Sequence, residues 1–131
     1  MPMPKKANGS NFQTGGGALT FEFDAGPHQV VYVVCLWGPK PQFGGQRPKV
    51  WCSEKLNTDE DGNRVKIPFE GPLPGMQVTW SGGVVAREDG ASGKLTVTIS
   101  QVNGEGGAYE YDFNFQKAQD HDLFYDGVNL V

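Results

Sequence analysis

The chain of 131 residues has few of the residues that build long helices, membrane spans and metal sites. Charged residues make up only 20% of it, and no apolar run approaches the ~20 residues that a membrane-spanning helix needs. We therefore expect no transmembrane segment. Two cysteines and two distant histidines do not form a zinc-binding pattern. Acidic residues outnumber basic ones by 15 to 11, and the net charge of −4 argues against a nucleic-acid partner.

Glycine and proline, in contrast, are abundant, with 19 and 9 residues. Both residues interrupt helices and favour tight turns, so this content predicts a protein of short strands. The strands themselves are indicated by a period of two. Apolar and polar residues alternate over 19–24, 65–69, 76–80 and 95–99, and the aromatic residues of 109–115 alternate with polar ones.

The segment from Gln29 to Trp37 is almost continuously apolar and rich in valine. It predicts a central strand that is covered on both faces. With turn signals every 8–12 residues, the whole pattern predicts an all-β fold: an antiparallel, jelly-roll-like β-sandwich of seven to nine short strands.

Residues 1–17 differ in composition from the rest and are predicted to form a flexible N-terminal arm, with residues 18–131 as one domain. The arm contains a single aromatic residue, Phe12, which is the one side chain in it suited to docking. The six residues from Met1 to Lys6 lack the apolar stretch of a signal peptide. We therefore expect the protein to be cytoplasmic, or secreted by a route that needs no signal peptide.

The two cysteines, Cys35 and Cys52, lie on the predicted strands that flank residues 38–48. If these strands pair symmetrically about the loop, Cys35 faces Cys52 and Trp37 faces Val50. This spacing allows a cross-strand disulfide, which would stabilise the fold by about 3 kcal/mol. The alternative is two separate buried thiols.

The loop from Gly38 to Pro48 is the strongest candidate for a binding site. Its prolines stiffen it, which lowers the entropy lost on binding, and aromatic and polar side chains lie in or beside it. Aromatic rings stack on sugar C–H surfaces, while amides and guanidinium groups bind hydroxyls. The predicted contacts are Trp37, Gln42, Phe43, Gln46, Arg47 and Trp51. The alternative for Trp37 and Trp51 is a place in the core.

Two acidic clusters are weak candidates for a metal site. Asp59 and Asp61 lie in a turn that resembles half of a calcium loop, but Pro68 stands where the loop's bidentate glutamate belongs. Asp120 and Asp122 form the second cluster, near the C-terminus. The alternative for the first cluster is a solvated turn. In the second, Asp120 and Asp122 share one face of a strand and His121 lies opposite, so no cofactor is expected unless calcium binds.

No catalytic motif is recognisable, so we expect a non-enzymatic binding module, most simply one that binds a glycan. In size, acidity and strand pattern the chain resembles small bacterial and fungal lectins and lipid-binding sandwich proteins. This is a likeness of class, and no family is assigned. The alternatives are a self-assembling protein whose arm is exchanged in a homo-oligomer, and a toxin-like sandwich that binds lipid surfaces.

Overall fold

The computed structural model describes residues 7–15, 17–53, 64–67, 74–87, 92–101, 106–114 and 120–131. Over these residues the chain forms nine strands and no helix. The strands are β1 (Ser10–Phe12), β2 (Leu19–Asp24), β3 (Gln29–Trp37), β4 (Lys49–Cys52), β5 (Arg64–Lys66), β6 (Gln77–Val85), β7 (Ser92–Gln101), β8 (Gly107–Asn114) and β9 (His121–Leu130). The predicted turn that contains Asp59 and Asp61 lies outside the described residues.

The strands form two sheets. One has five strands in the order β1-β9-β6-β3-β4, and the other has four in the order β5-β2-β7-β8. Every pairing in the described residues is antiparallel except that of β1 with β9. The all-β architecture predicted from the sequence is confirmed.

Inward-facing side chains from both sheets join in one hydrophobic core. Aromatic rings make much of the contact between the sheets. Phe23 of β2 stacks on Tyr32 of β3 with 3.9 Å between ring centroids, and Phe21 packs against Trp80 at 5.8 Å. Such aromatic pairs stabilise a core beyond the area they bury. The two-sheet arrangement with one shared core is consistent with a β-sandwich.

Strand β3 lies inside the five-stranded sheet, between β6 and β4. Its even-numbered residues are buried, whereas its odd-numbered residues are only half-buried. The prediction that both faces are covered is therefore wrong in the described structure. Neighbouring strands shield the sides of the outward residues, but no described element lies over them.

Part of the predicted arm belongs to the five-stranded sheet. Residues Ala7 to Ser10 form a turn in which the Ser10 N–H donates to the Ala7 carbonyl at 2.8 Å. Asn8 and Gly9 have φ angles of 49° and 74°, which makes this a type I′ turn. Strand β1 follows, and Ala7 and Phe12 are buried. The expectation of a flexible arm therefore does not hold for residues 7–12, because these apolar side chains and backbone groups have partners in the domain.

The predicted register between β3 and β4 is present at Cys35 and Cys52, which form a disulfide. The register shifts at a bulge between Leu36 and Trp37, so Trp37 pairs with Lys49 and not with Val50. The shift follows from the extra residue that a bulge adds to one strand.

Candidate functional site

The two tryptophans predicted to form one site lie on opposite faces of the five-stranded sheet. Trp51 pairs with Leu36, which is buried in the core, and Trp51 packs against that core. Trp37 is the next residue after Leu36 and therefore points outward. Its indole Nε1 donates a hydrogen bond of 2.8 Å to Thr79 Oγ1. The alternative role in the core thus fits Trp51 but not Trp37.

The loop from Gly38 to Pro48 closes on itself through a hydrogen bond of 2.7 Å from the Gly38 N–H to the Pro48 carbonyl. At its tip, the Phe43 side chain is 96% exposed, and Gln42 and Gln46 are exposed as well. These three predicted contacts are therefore accessible to a ligand.

The Arg47 side chain donates hydrogen bonds to two backbone carbonyls, one in the loop and one outside it. Its Nη1 donates to the Gly38 carbonyl at 3.0 Å and to the Gly75 carbonyl at 2.7 Å. Gly75 precedes strand β6, so the guanidinium ties the loop to a neighbouring segment. This geometry gives Arg47 a structural task that the sequence did not indicate.

Only one of the two acidic clusters predicted as weak metal sites lies among the described residues. Asp59 and Asp61 lie outside the described residues. In the other cluster, Asp120 is half-buried and the Asp122 side chain is exposed. Among the described residues, no group of three or more histidine, cysteine or acidic side chains is placed to hold a metal ion.

The three inner strands of the five-stranded sheet, β9, β6 and β3, carry no charged side chain on their outer face. Direct pairing of β3 with β6 and of β6 with β9 places five outward residues of each strand in five rows. We call these fifteen positions the neutral face: Gln29, Val31, Val33, Cys35, Trp37, Gln77, Thr79, Ser81, Gly83, Val85, His121, Leu123, Tyr125, Gly127 and Asn129. None of them is Asp, Glu, Lys or Arg.

The four-stranded sheet provides the comparison within the same molecule. Among the described residues, its outer face carries seven charged side chains: Glu22, Asp24, Arg64, Lys66, Lys94, Glu110 and Asp112. Ion pairs join Arg64 to Glu22 at 3.2 Å and Lys94 to Glu110 at 3.6 Å. This is the polar outer face expected of an antiparallel sheet in contact with water. The neutral face also carries polar side chains, such as Gln77 and Ser81, but no Asp, Glu, Lys or Arg.

A shallow depression of about 210 Å³ lies on the neutral face where β9 meets the N-terminal turn. Tyr125, which is 74% exposed, stands at one side of it, and Gln77, Thr79 and Asn8 contribute amide and hydroxyl groups. Gly127 also lines it. A Cβ at Gly127 would lie 2.9 Å from the Val78 carbonyl oxygen, so this position requires glycine.

Beneath this depression, the buried carboxylate of Asp126 holds the N-terminal turn. Its Oδ2 accepts the Ala7 N–H at 2.7 Å, and its Oδ1 accepts the Asn8 N–H at 2.6 Å and the Gly127 N–H at 2.8 Å. The Tyr111 hydroxyl also donates to Oδ2. Burial, followed by the hydrogen bond and charge of Asp126, raises the pKa of Tyr111 above its ordinary value.

Sequence reasoning missed Tyr125, Gln77 and the N-terminal turn. One signal was available, since Asn8-Gly9 is the typical pair of a type I′ turn. For Tyr125 the signal is ambiguous, because Leu123, Phe124 and Tyr125 are consecutive and alternation does not show which of them faces outward.

No protein-family model, curated protein or solved structure matches this chain. In the described residues, no helix is long and apolar enough to cross a membrane.

Proposed function

We propose that this chain is a non-enzymatic binding module whose ligand surface is the neutral face, and that the ligand is an uncharged carbohydrate. The observation that carries the proposal is the contrast between the sheets. Seven charged side chains cover the outer face of the four-stranded sheet, and none occurs among the fifteen positions of the neutral face. Depletion of charge together with exposed aromatic side chains is typical of the centre of a binding surface.

The depression beside Tyr125 supports a sugar as the ligand. An exposed phenol ring offers a flat surface for the C–H groups of a pyranose. The side chains of Gln77 and Asn8 offer hydrogen-bond donors and acceptors at the rim. A few polar groups around an apolar platform orient a ligand, as in small-molecule sites generally.

The absence of charged side chains from the neutral face favours uncharged carbohydrates over anionic ones. Sialylated, sulfated and uronic-acid glycans carry negative charges, which need cationic partners. None of the fifteen positions of the neutral face carries a cationic lysine or arginine. The nearest lysine by register is Lys49, which pairs with Trp37 at the border of this face. Uncharged hexose chains fit this surface better than anionic ones.

The predicted loop contributes at the margin of this surface. Trp37 belongs to the neutral face and pairs with Gln77, and the loop with Phe43 begins directly after Trp37. The binding-loop hypothesis is retained in this narrower form, with Phe43, Gln42 and Gln46 as accessory contacts.

Binding should be tested on an array of neutral, sialylated and sulfated oligosaccharides, followed by isothermal titration with the neutral glycans that bind. Tyr125→Ala and Gln77→Ala should each weaken binding by about 1–3 kcal/mol. Thr98→Ala, on the outer face of the four-stranded sheet, is the matched control and should leave affinity unchanged. Selective binding of anionic glycans, or equal loss in the Thr98 variant, would contradict the proposal.

One observation favours a second candidate function, binding to a lipid surface. Leu123 is 75% exposed on the neutral face, beside Tyr125 and in the same row as Val31. Such a side chain suits a membrane interface better than a sugar. Pelleting with phosphatidylcholine vesicles separates the two functions, because Leu123→Ala should abolish vesicle binding but have little effect on glycan binding.

A further inference from the structure

We propose that the edge of β9 on which β1 lies, which we call the seat, is a site of strand exchange between molecules. In an assembled form, its occupant is residues 7–12 of a second copy of this chain. This inference is independent of the ligand on the neutral face. It rests on how the N-terminal segment is attached.

Strand β1 is added to the edge of the five-stranded sheet from outside. It runs parallel to β9, and the next strand, β2, belongs to the other sheet. No hairpin therefore joins β1 to β9. The chain leaves the seat after Thr14, whose N–H donates to the Val131 carbonyl at 3.0 Å.

The residues that follow Thr14 are bound to the domain by other contacts, which do not involve β9. Gln101 of β7 accepts the Gly15 N–H at 2.8 Å and donates to the Gly17 carbonyl at 2.8 Å. Gly15 and Gly17 can thus stay on their own domain while the segment that ends at Thr14 changes domains. The pivot is the link between Thr14 and Gly15.

The seat recognises main-chain groups and two apolar side chains. Asp126 accepts two consecutive N–H groups, Gly127 accepts the Gly9 N–H at 2.9 Å, and Asn129 Nδ2 donates to the Gly9 carbonyl at 2.7 Å. Ala7 and Phe12 are buried in the core. Every one of these contacts can be made equally by the same segment from another molecule, which is the condition for low-cost strand exchange.

The turn explains why the occupant is this segment and not any extended peptide. Consecutive left-handed residues at Asn8 and Gly9 turn the chain so that the N–H groups of Ala7 and Asn8 both reach Asp126. Most extended peptides do not adopt this turn. An empty seat would also leave a buried carboxylate and an open sheet edge, both of which favour refilling.

Disulfide trapping tests the exchange directly. Asn11 pairs with Asn129, and neither is buried, so Asn11→Cys and Asn129→Cys are separate variants suited to cross-linking. The Asn129 variant loses the bond to the Gly9 carbonyl but keeps the contacts of Asp126 and Gly127 with the segment. The two variants, one carrying a size tag, are mixed at high concentration and oxidised. Non-reducing gels and peptide mapping then measure the link between position 11 of one chain and position 129 of the other.

We expect this link between chains to increase with protein concentration and to accompany a dimer in size-exclusion chromatography. Thr98→Cys in place of Asn129→Cys measures random collision and should give only background. The double variant N11C/N129C shows whether the segment occupies its seat at all. If that variant links only within one chain, and the mixture never exceeds background, the proposal is overturned. Absence of either link would overturn it as well, because the register itself would be wrong.

Discussion

The hydroxyl of Tyr111, on the four-stranded sheet, donates a hydrogen bond to the carboxylate of Asp126, on the five-stranded sheet. Trp80 Nε1 donates to the same hydroxyl at 3.1 Å, so a chain of hydrogen bonds crosses the core between the sheets. From Asp126, the series of hydrogen bonds continues to the N–H groups of the N-terminal turn. One buried polar network therefore couples the packing of the two sheets to the docking of residues 7–12.

Replacing Tyr111 with phenylalanine should lower the free energy of unfolding by about 1–3 kcal/mol. The variant removes a donor from a buried carboxylate and leaves Trp80 Nε1 without its acceptor. Urea denaturation provides the measurement. Tyr125→Phe is the matched control: because this side chain is 74% exposed, its loss of a hydroxyl should change stability by less than about 0.5 kcal/mol. Equal effects in the two variants would contradict a special role for Tyr111.

Stability should fall at alkaline pH because burial and Asp126 raise the pKa values of Tyr109 and Tyr111. Below about pH 10 both tyrosines are protonated in the folded and the unfolded chain, so they contribute fully to the free energy of unfolding. As pH rises further, the unfolded chain ionises first, and the equilibrium shifts towards it. Urea midpoints measured from neutral pH to about pH 12 should therefore decline above about pH 10. The decline should be shallower in Tyr111→Phe, and identical curves would refute this cause.

Phe43 and Arg47 should respond differently to replacement by alanine. Phe43→Ala should change the free energy of unfolding by less than about 0.5 kcal/mol, because the ring is 96% exposed. Arg47→Ala should lower it by about 1–2 kcal/mol, because two hydrogen bonds to backbone carbonyls are lost. Thermal and urea denaturation of both variants compare them. A larger loss for Phe43→Ala would show that the ring is packed against the domain.

The Cys35–Cys52 bond should stabilise the fold by about 3 kcal/mol, given the 17-residue separation of the two cysteines. The double variant C35S/C52S should lose this amount in urea denaturation. Mass spectrometry without reductant should show a mass lower by two hydrogens than that of the reduced chain. Rapid thiol titration in the native, non-reduced protein would show that the bond is absent.

Local pattern was sufficient to predict the strands and their class. Alternation over Leu19 to Asp24 and over Leu95 to Ile99 identifies strands with one wet face, and both are present. Spacing along the chain also predicted that Cys35 faces Cys52, on the condition that the strands pair symmetrically about the loop. The bulge breaks this symmetry at Trp37 but not at the cysteines. These features rest on interactions between neighbours in sequence, or on a single short loop.

The tertiary structure alone decided which surface is neutral and where the N-terminus docks. In β3 and in part of β9 both sets of alternate residues are largely apolar, so the period of two cannot show which set meets the core. The bond from the Ala7 N–H to Asp126 joins residues separated by 119 positions, and it uses a backbone group that every residue except proline possesses. A sequence records side chains, whereas this contact depends on where the folded sheets bring a backbone N–H next to a buried carboxylate.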